Sequence, residues 1–130
     1  MTVSAAAPWV VHKFGGSSVA DAACFRQVAD ILEAQPTRRL GVVLSACKGV
    51  TDSLLRLVAL AEARDEAYQT QLSQLRDRHA QIAETLLPPA ESAAWLAEFD
   101  CDRTDLSGIL QTTSLLRSAA QNVRDLVAGY

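Results

Sequence analysis

At 130 residues, with 49% hydrophobic and 21% charged side chains, the chain carries enough apolar material to bury a core and too little charge for a disordered tail. A formal net charge of −3 and scattered arginines leave no basic stripe, which argues against nucleic acid as a partner. No apolar run approaches the roughly 20 residues of a membrane span, and residues 1–8 lack the charged start and long apolar core of a signal peptide, so a cytoplasmic address without a membrane partner is expected.

Residues 1–8 read as a flexible leading segment, and residues 9–130 as the folded part. Trp9, Val10, Val11, His12, Lys13 and Phe14 form a short β-branched run that ends at Gly15 and Gly16, the pattern of a buried strand entering a tight turn. Ser18, three residues before Asp21, resembles a capping box. Phe25, Val28, Ala29 and Leu32 then follow at helical spacing until Pro36. A second apolar strand spans residues 40–46. Strand, helix and strand make a βαβ unit over residues 9–46, with a parallel pair expected to be buried on both faces.

Past Thr51 the pattern is helical through residue 130. Leu54, Leu57, Val58 and Ala61 mark one helix. Tyr68, Leu72, Leu75, His79, Ile82 and Leu86 form the apolar stripe of another, closed by Pro88 and Pro89. Trp95, Phe99, Leu106, Ile109 and Leu110 suggest more helix with a break near residues 100–104, and Leu115 with Val123, Leu126 and Val127 suggests a last pair of short helices. Two strands alone make a poor sheet, so the chain reads as a truncated α/β domain. Its uncovered apolar surface is expected to drive self-association or homo-oligomer formation.

Several residues take plain readings. Cys24, Cys47 and Cys101 are far apart and odd in number, which argues against a disulfide framework or a zinc site and for reduced packing residues. His79 reads as a packing histidine, with no metal-ligand spacing around it. His12 reads as buried or half-buried, Glu62, Asp65, Glu66 and Asp77 as a solvated helix face, and Trp95 and Phe99 as core anchors.

The chemistry is expected in the two strand-to-helix turns. At Lys13, Gly15, Gly16, Ser17 and Ser18 the glycines admit close approach of backbone N–H groups. A helix starting near Ser18 points its positive end there, and Lys13 adds a full charge. Neither G-x-x-x-x-G-K-[ST] nor G-x-G-x-x-G is present, and a tight turn with purely geometric glycines fits the same residues. The second turn, residues 45–52, offers hydroxyls at Ser45 and Thr51 and a close approach at Gly49, while Thr51 or Asp52 can also cap the next helix. Because parallel strands end side by side, both turns are expected to open onto one crevice.

Lys-Phe-Gly-Gly-Ser-Ser-Val-Ala-Asp at positions 13 to 21 closely resembles the opening signature of aspartate kinases in the amino-acid kinase superfamily, and Ser45, Ala46, Gly49, Thr51 and Asp52 resemble that family's second motif. The resemblance covers nearly the whole chain, in pattern alone from about Glu62 to Asp125. It implies the first part of a three-layer α/β fold and transfer of the γ-phosphoryl of MgATP to the side-chain carboxylate of L-aspartate, at the start of lysine, threonine and methionine synthesis. MgATP is then a co-substrate, with no tightly bound cofactor and no metal held by this chain.

By position, the resemblance implies that Lys13 neutralises charge on the transferring group, that Gly15, Gly16 and Ser17 line its cradle, and that Ser45, Ala46 and Thr51 help hold aspartate. Ser17 stands where threonine is common, and Lys48 where smaller residues are frequent. A Gly-Glu motif is expected after Tyr130, so the 130 residues alone are expected to show no appreciable turnover. The competing expectation is a non-catalytic helical assembly fragment.

Overall fold

A computed structural model describes residues 8–130 and divides the chain after Lys48 into two units, each described by itself below. The leading segment expected over residues 1–8 falls, up to residue 7, outside the described residues.

In the first unit β1 (Val10–Phe14) and β2 (Leu40–Leu44) pair in parallel, from Val10 opposite Leu40 to Phe14 opposite Leu44. The crossover between them carries a 3-10 turn (Gly16–Val19) and α1 (Ala22–Glu33). The core is the buried trio Phe14, Val19 and Val28, against which Phe25 and Leu32 of α1 pack. β2 stops two residues short of the expected strand. The Ser45 N–H still donates to the Phe14 carbonyl at 3.0 Å, but its Oγ donates to the Ala46 carbonyl and the chain turns away.

Two expectations for this unit are corrected. Ser18 does not cap α1: it lies inside the 3-10 turn, and Asp21 is the N-cap, its carboxylate accepting from the Cys24 N–H at 2.9 Å. The short acidic side chain reaches a free N–H of the first helical turn from extended backbone, which Ser18 is too far upstream to do. Nor is the strand pair buried on both faces. Val11, Val42 and Val43 are exposed and Leu44 is 52% exposed, so β2 is open on both of its faces, while the stripe of α1 covers Phe14 of β1. His12 is half-buried, as expected. Its ring stacks on Phe14 with centroids 6.1 Å apart, and its Nε2 is buried without a hydrogen-bond partner among the described residues.

The second unit, Gly49–Tyr130, is helical: α2 (Val50–Glu62), α3 (Ala67–Leu86), α4 (Pro89–Leu116) and α5 (Gln121–Ala128). α2 packs on the other three helices, and α3 also packs on α4. The stripes predicted for α2 and α3 face inward: Leu54, Leu57, Val58, Ala61, Tyr68, Leu72 and Leu75 are all buried. Pro88 and Pro89 separate α3 from α4, and Pro89 takes the first helical position of α4, where its missing N–H costs nothing.

The break expected near residues 100–104 does not occur. α4 runs unbroken through it because nothing there stops a helix and tertiary pairing holds it. Asp100 takes a two-pronged hydrogen bond from Arg76 of α3 (3.1 and 2.9 Å) and another from Arg103, while the Thr104 hydroxyl donates to the Asp100 carbonyl. Leu115 and Leu116 therefore end a long helix rather than forming one of two short ones. Arg117 at its C-cap adopts left-handed backbone, φ 53°. Arg64, also left-handed at φ 57°, donates to the Ser114 and Leu115 carbonyls and so satisfies the end of α4.

Three side-chain readings also change. Trp95 is 38% exposed, so of the expected pair of core anchors only Phe99 is half-buried, between the rings of His79 (5.1 Å) and Trp95 (5.3 Å). His79 is a packing histidine with Nδ1 2.7 Å from the Leu75 carbonyl, whereas Cys101 is exposed rather than packed. Glu62 leaves the solvated face on which it was expected. Its carboxylate accepts from the Ala119 N–H at 2.8 Å and from the Arg124 guanidinium, tying α2 to the start of α5.

Those contacts, the Ala119 N–H first and Arg124 next, hold the Glu62 carboxyl below its ordinary range. A carboxyl depressed in the folded state adds stability above its unfolded value and loses it as pH falls through the folded one. Glu62→Gln should therefore melt below wild type at neutral pH, with the gap closing on acidification. Thermal melts across the carboxylate range check this, and a gap independent of pH would remove Glu62 from the acid response.

Candidate phosphate-binding turns

The parallel register sets the C-termini of β1 and β2 side by side, and with them the two turns that follow inside the first unit. The first turn begins at Gly15, whose φ of −78° and ψ of 176° are ordinary extended backbone, so conformation alone does not require glycine there. Nor does space: a Cβ on Gly15 would lie 3.9 Å from Lys13 Nζ, an ordinary van der Waals distance that places the exposed ammonium of Lys13 over this residue. Gly16 is different. A Cβ there would meet the Ala46 carbonyl oxygen and the Lys48 Cα, both at 3.3 Å, which is tight contact with backbone of the second turn. Gly16 thus serves the close packing of the two turns, in line with the geometric alternative.

The positive helix end expected near Ser18 is smaller than anticipated. Only the 3-10 turn starts at Gly16, and the α-helix proper begins at Ala22 with the Asp21 carboxylate at its end. Within the 3-10 turn the Ser18 N–H donates to the Gly15 carbonyl at 2.9 Å, while the N–H groups of Gly16 and Ser17 open the turn and have no acceptor inside it. The donors at this turn are two backbone N–H groups, the exposed Ser17 hydroxyl and the Lys13 ammonium.

Of the residues singled out from the sequence, the first unit brings together Lys13, Gly15, Gly16, Ser17, Ser45 and Ala46. Ser45 is exposed and its hydroxyl donates to the Ala46 carbonyl at 2.9 Å. Thr51 belongs to the second unit, exposed on the first turn of α2. Neither it nor Asp52 caps that helix. Gly49 is the N-cap, in left-handed backbone at φ 79° that favours glycine, and its carbonyl accepts from the Ser53 N–H and hydroxyl.

The helical unit also holds an apolar cavity of about 90 Å³, lined among others by Leu54, Leu72, His79, Phe99 and Arg103. Its walls come from three helices and Tyr130, so no local sequence pattern marks it. Among the described residues no three His, Cys, Asp or Glu side chains group as metal ligands, and no helix is long and apolar enough to cross a membrane.

The profile of the amino acid kinase family matches residues 8–127 and so takes in both turns. The chain belongs to the amino acid kinase family. It is 34% identical over 122 residues to the chloroplastic bifunctional aspartokinase/homoserine dehydrogenase 1 of Zea mays and 33% identical over 122 residues to its Arabidopsis thaliana counterpart, in each case 94% of this chain. A further relative, bifunctional aspartokinase/homoserine dehydrogenase 2 of Escherichia coli strain K12, is 32% identical over 103 residues, 78% of the chain. The chain spans about 13% of the length of each of these relatives.

Proposed function

We propose that this chain is the phosphate-binding amino-terminal part of an aspartate kinase, transferring the γ-phosphoryl of MgATP to the side-chain carboxylate of L-aspartate to give β-aspartyl phosphate and ADP. One observation carries the reading: the Lys13 ammonium lies over the Gly15 turn at the end of a parallel strand, within a segment that matches the amino acid kinase family and aspartokinase-containing relatives. In the transfer an aspartate carboxylate oxygen attacks the γ-phosphorus and the bond to the β,γ-bridging oxygen of ATP breaks. The protein's part is positioning and charge stabilisation.

Lys13 neutralises the transferring oxygens in this reading, with Gly15, Gly16 and Ser17 lining the cradle. Ser45, Ala46 and Thr51 act on the aspartate side. The domain assignment, residues 9–130 as the start of a kinase catalytic domain, belongs to the same proposal, as does its place in lysine, threonine and methionine synthesis. A cytoplasmic address is part of it too, although the plant relatives carry "chloroplastic" in their names. Self-association is supported by the exposed Val43, Leu44, Leu115 and Leu116.

The protein expressed from its full reading frame should release ADP from MgATP only when L-aspartate is present, read by a coupled assay. ADP release with glutamate or carbamate but not aspartate would move the protein elsewhere in the family.

A further inference from the structure

Two lysines, not one, meet the glycine turn. Lys13 reaches it from the end of β1, with Nζ 3.9 Å from the position of a Cβ on Gly15. Lys48 reaches it from the turn after β2: its Cα and N lie 3.3 and 3.5 Å from the position of a Cβ on Gly16. No side chain at Gly16 separates the two turns, so the backbone of Lys48 rests directly on the residue that opens the cradle. Lys48 is exposed, and its flexible four-carbon stem gives the ammonium reach over any anion seated on Gly15 and Gly16.

The same packing creates a need for this charge. The Ala46 carbonyl oxygen, fixed by the Ser45 hydroxyl, also lies 3.3 Å from the Gly16 Cβ position. A carbonyl oxygen packed this close to the residue that opens the turn brings partial negative charge to it, and a cation two residues along the same turn offsets that charge. The chain's formal charge is −3, so the positive field at this turn has to be local.

From this juxtaposition we infer that Lys48 is a second phosphate-binding cation, contacting the polyphosphate of ATP from the second turn as Lys13 does from the end of β1. The inference rests on the phosphoryl-transfer reading above and adds a residue to it. Lys48 sets nucleotide affinity, whereas Lys13 acts on the transferring group.

The test is calorimetric titration of MgATP into the protein expressed from its full reading frame, as wild type, Lys48→Met, Lys48→Arg and Lys13→Met, alongside aspartate-dependent ADP release. Methionine keeps the length and packing of the stem and removes the charge. Lys48→Met should weaken ATP binding about tenfold and raise the KM for ATP in proportion, with kcat and the KM for aspartate changing less than twofold. Lys48→Arg should stay within about threefold of wild type in ATP affinity.

Equal ATP affinity in wild type and Lys48→Met overturns the inference. If Lys13→Met then still loses binding or turnover, the kinase reading stands without it. Equal weakening in the methionine and arginine variants assigns Lys48 a packing role and also overturns it. Charge-dependent ATP binding in a protein inactive on aspartate upholds Lys48 and sinks the acceptor assignment. No ATP binding by wild type sinks both.

Discussion

Lys13→Ala should lower kcat/KM for aspartate phosphorylation at least ~100-fold, about 2.7 kcal/mol of transition-state stabilisation, in the protein expressed from its full reading frame. The size follows from the chemistry. A transferring phosphoryl group spreads negative charge over its equatorial oxygens, and the protein does little beyond placing donors and cations around it, so one positioned ammonium carries a large share of the barrier. The site offers few substitutes. Gly16 and Ser17 contribute backbone donors, and the α-helix that could have added its positive end starts only at Ala22, behind the Asp21 carboxylate.

Stability should hardly move, because the Lys13 side chain is exposed and the β1 ladder is made by backbone. Steady-state kinetics and a thermal melt on the same preparations separate the two effects. A hundredfold loss of turnover with an unchanged melting temperature is the expected pair. Activity within a few-fold of wild type would leave Lys13 as a solvated strand-end lysine and withdraw the proposed site.

The two strand-to-helix turns were more legible in the sequence than the helices were. Both turns are punctuated locally, an apolar β-branched run followed by glycine, and local signals of this kind survive into the structure as β1, β2 and the turns that follow them. The parallel pairing followed from the helical stretch between the strands. What local reading could not supply was distance between elements. Asp100, Asp102, Thr104 and Asp105 weaken helix propensity, and from that alone a break looked reasonable. The helix persists because Arg76, on another helix, pairs with Asp100.

Glu62 was misplaced for the same reason. Its partners, Ala119 and Arg124, lie about sixty positions away, so the sequence showed an acidic residue at a helix end and nothing more. Gly16 shows the limit from the other side. Its glycine was legible as a turn signal, but the packing of the second turn on it, with the Ala46 carbonyl oxygen and Lys48 Cα 3.3 Å from its Cβ position, was not.

The continuity of α4 carries the second large expectation. Leu110 lies past the stretch that looked like a break, is 0% exposed, and belongs to the face of α4 that packs against α2 and α3. Leu110→Ala should destabilise the chain by roughly 2–5 kcal/mol, the lost transfer energy of three carbons plus the cavity left behind. Against a typical stability of about 5–15 kcal/mol, that lowers the melting temperature by roughly 10 °C or more. Leu115, five residues on in the same helix, is 69% exposed, and Leu115→Ala should change stability by no more than about 0.5 kcal/mol. The two variants remove the same atoms from one helix, so propensity and side-chain chemistry cancel and only burial differs. Denaturant melts of both give the comparison directly. A large loss at Leu110 with none at Leu115 is what an unbroken α4 presenting one face to α2 and α3 requires. Equal small losses would mean that α4 past Asp100 does not hold its place against those helices, and that the Arg76 and Arg103 pairs to Asp100 fail to carry the helix through.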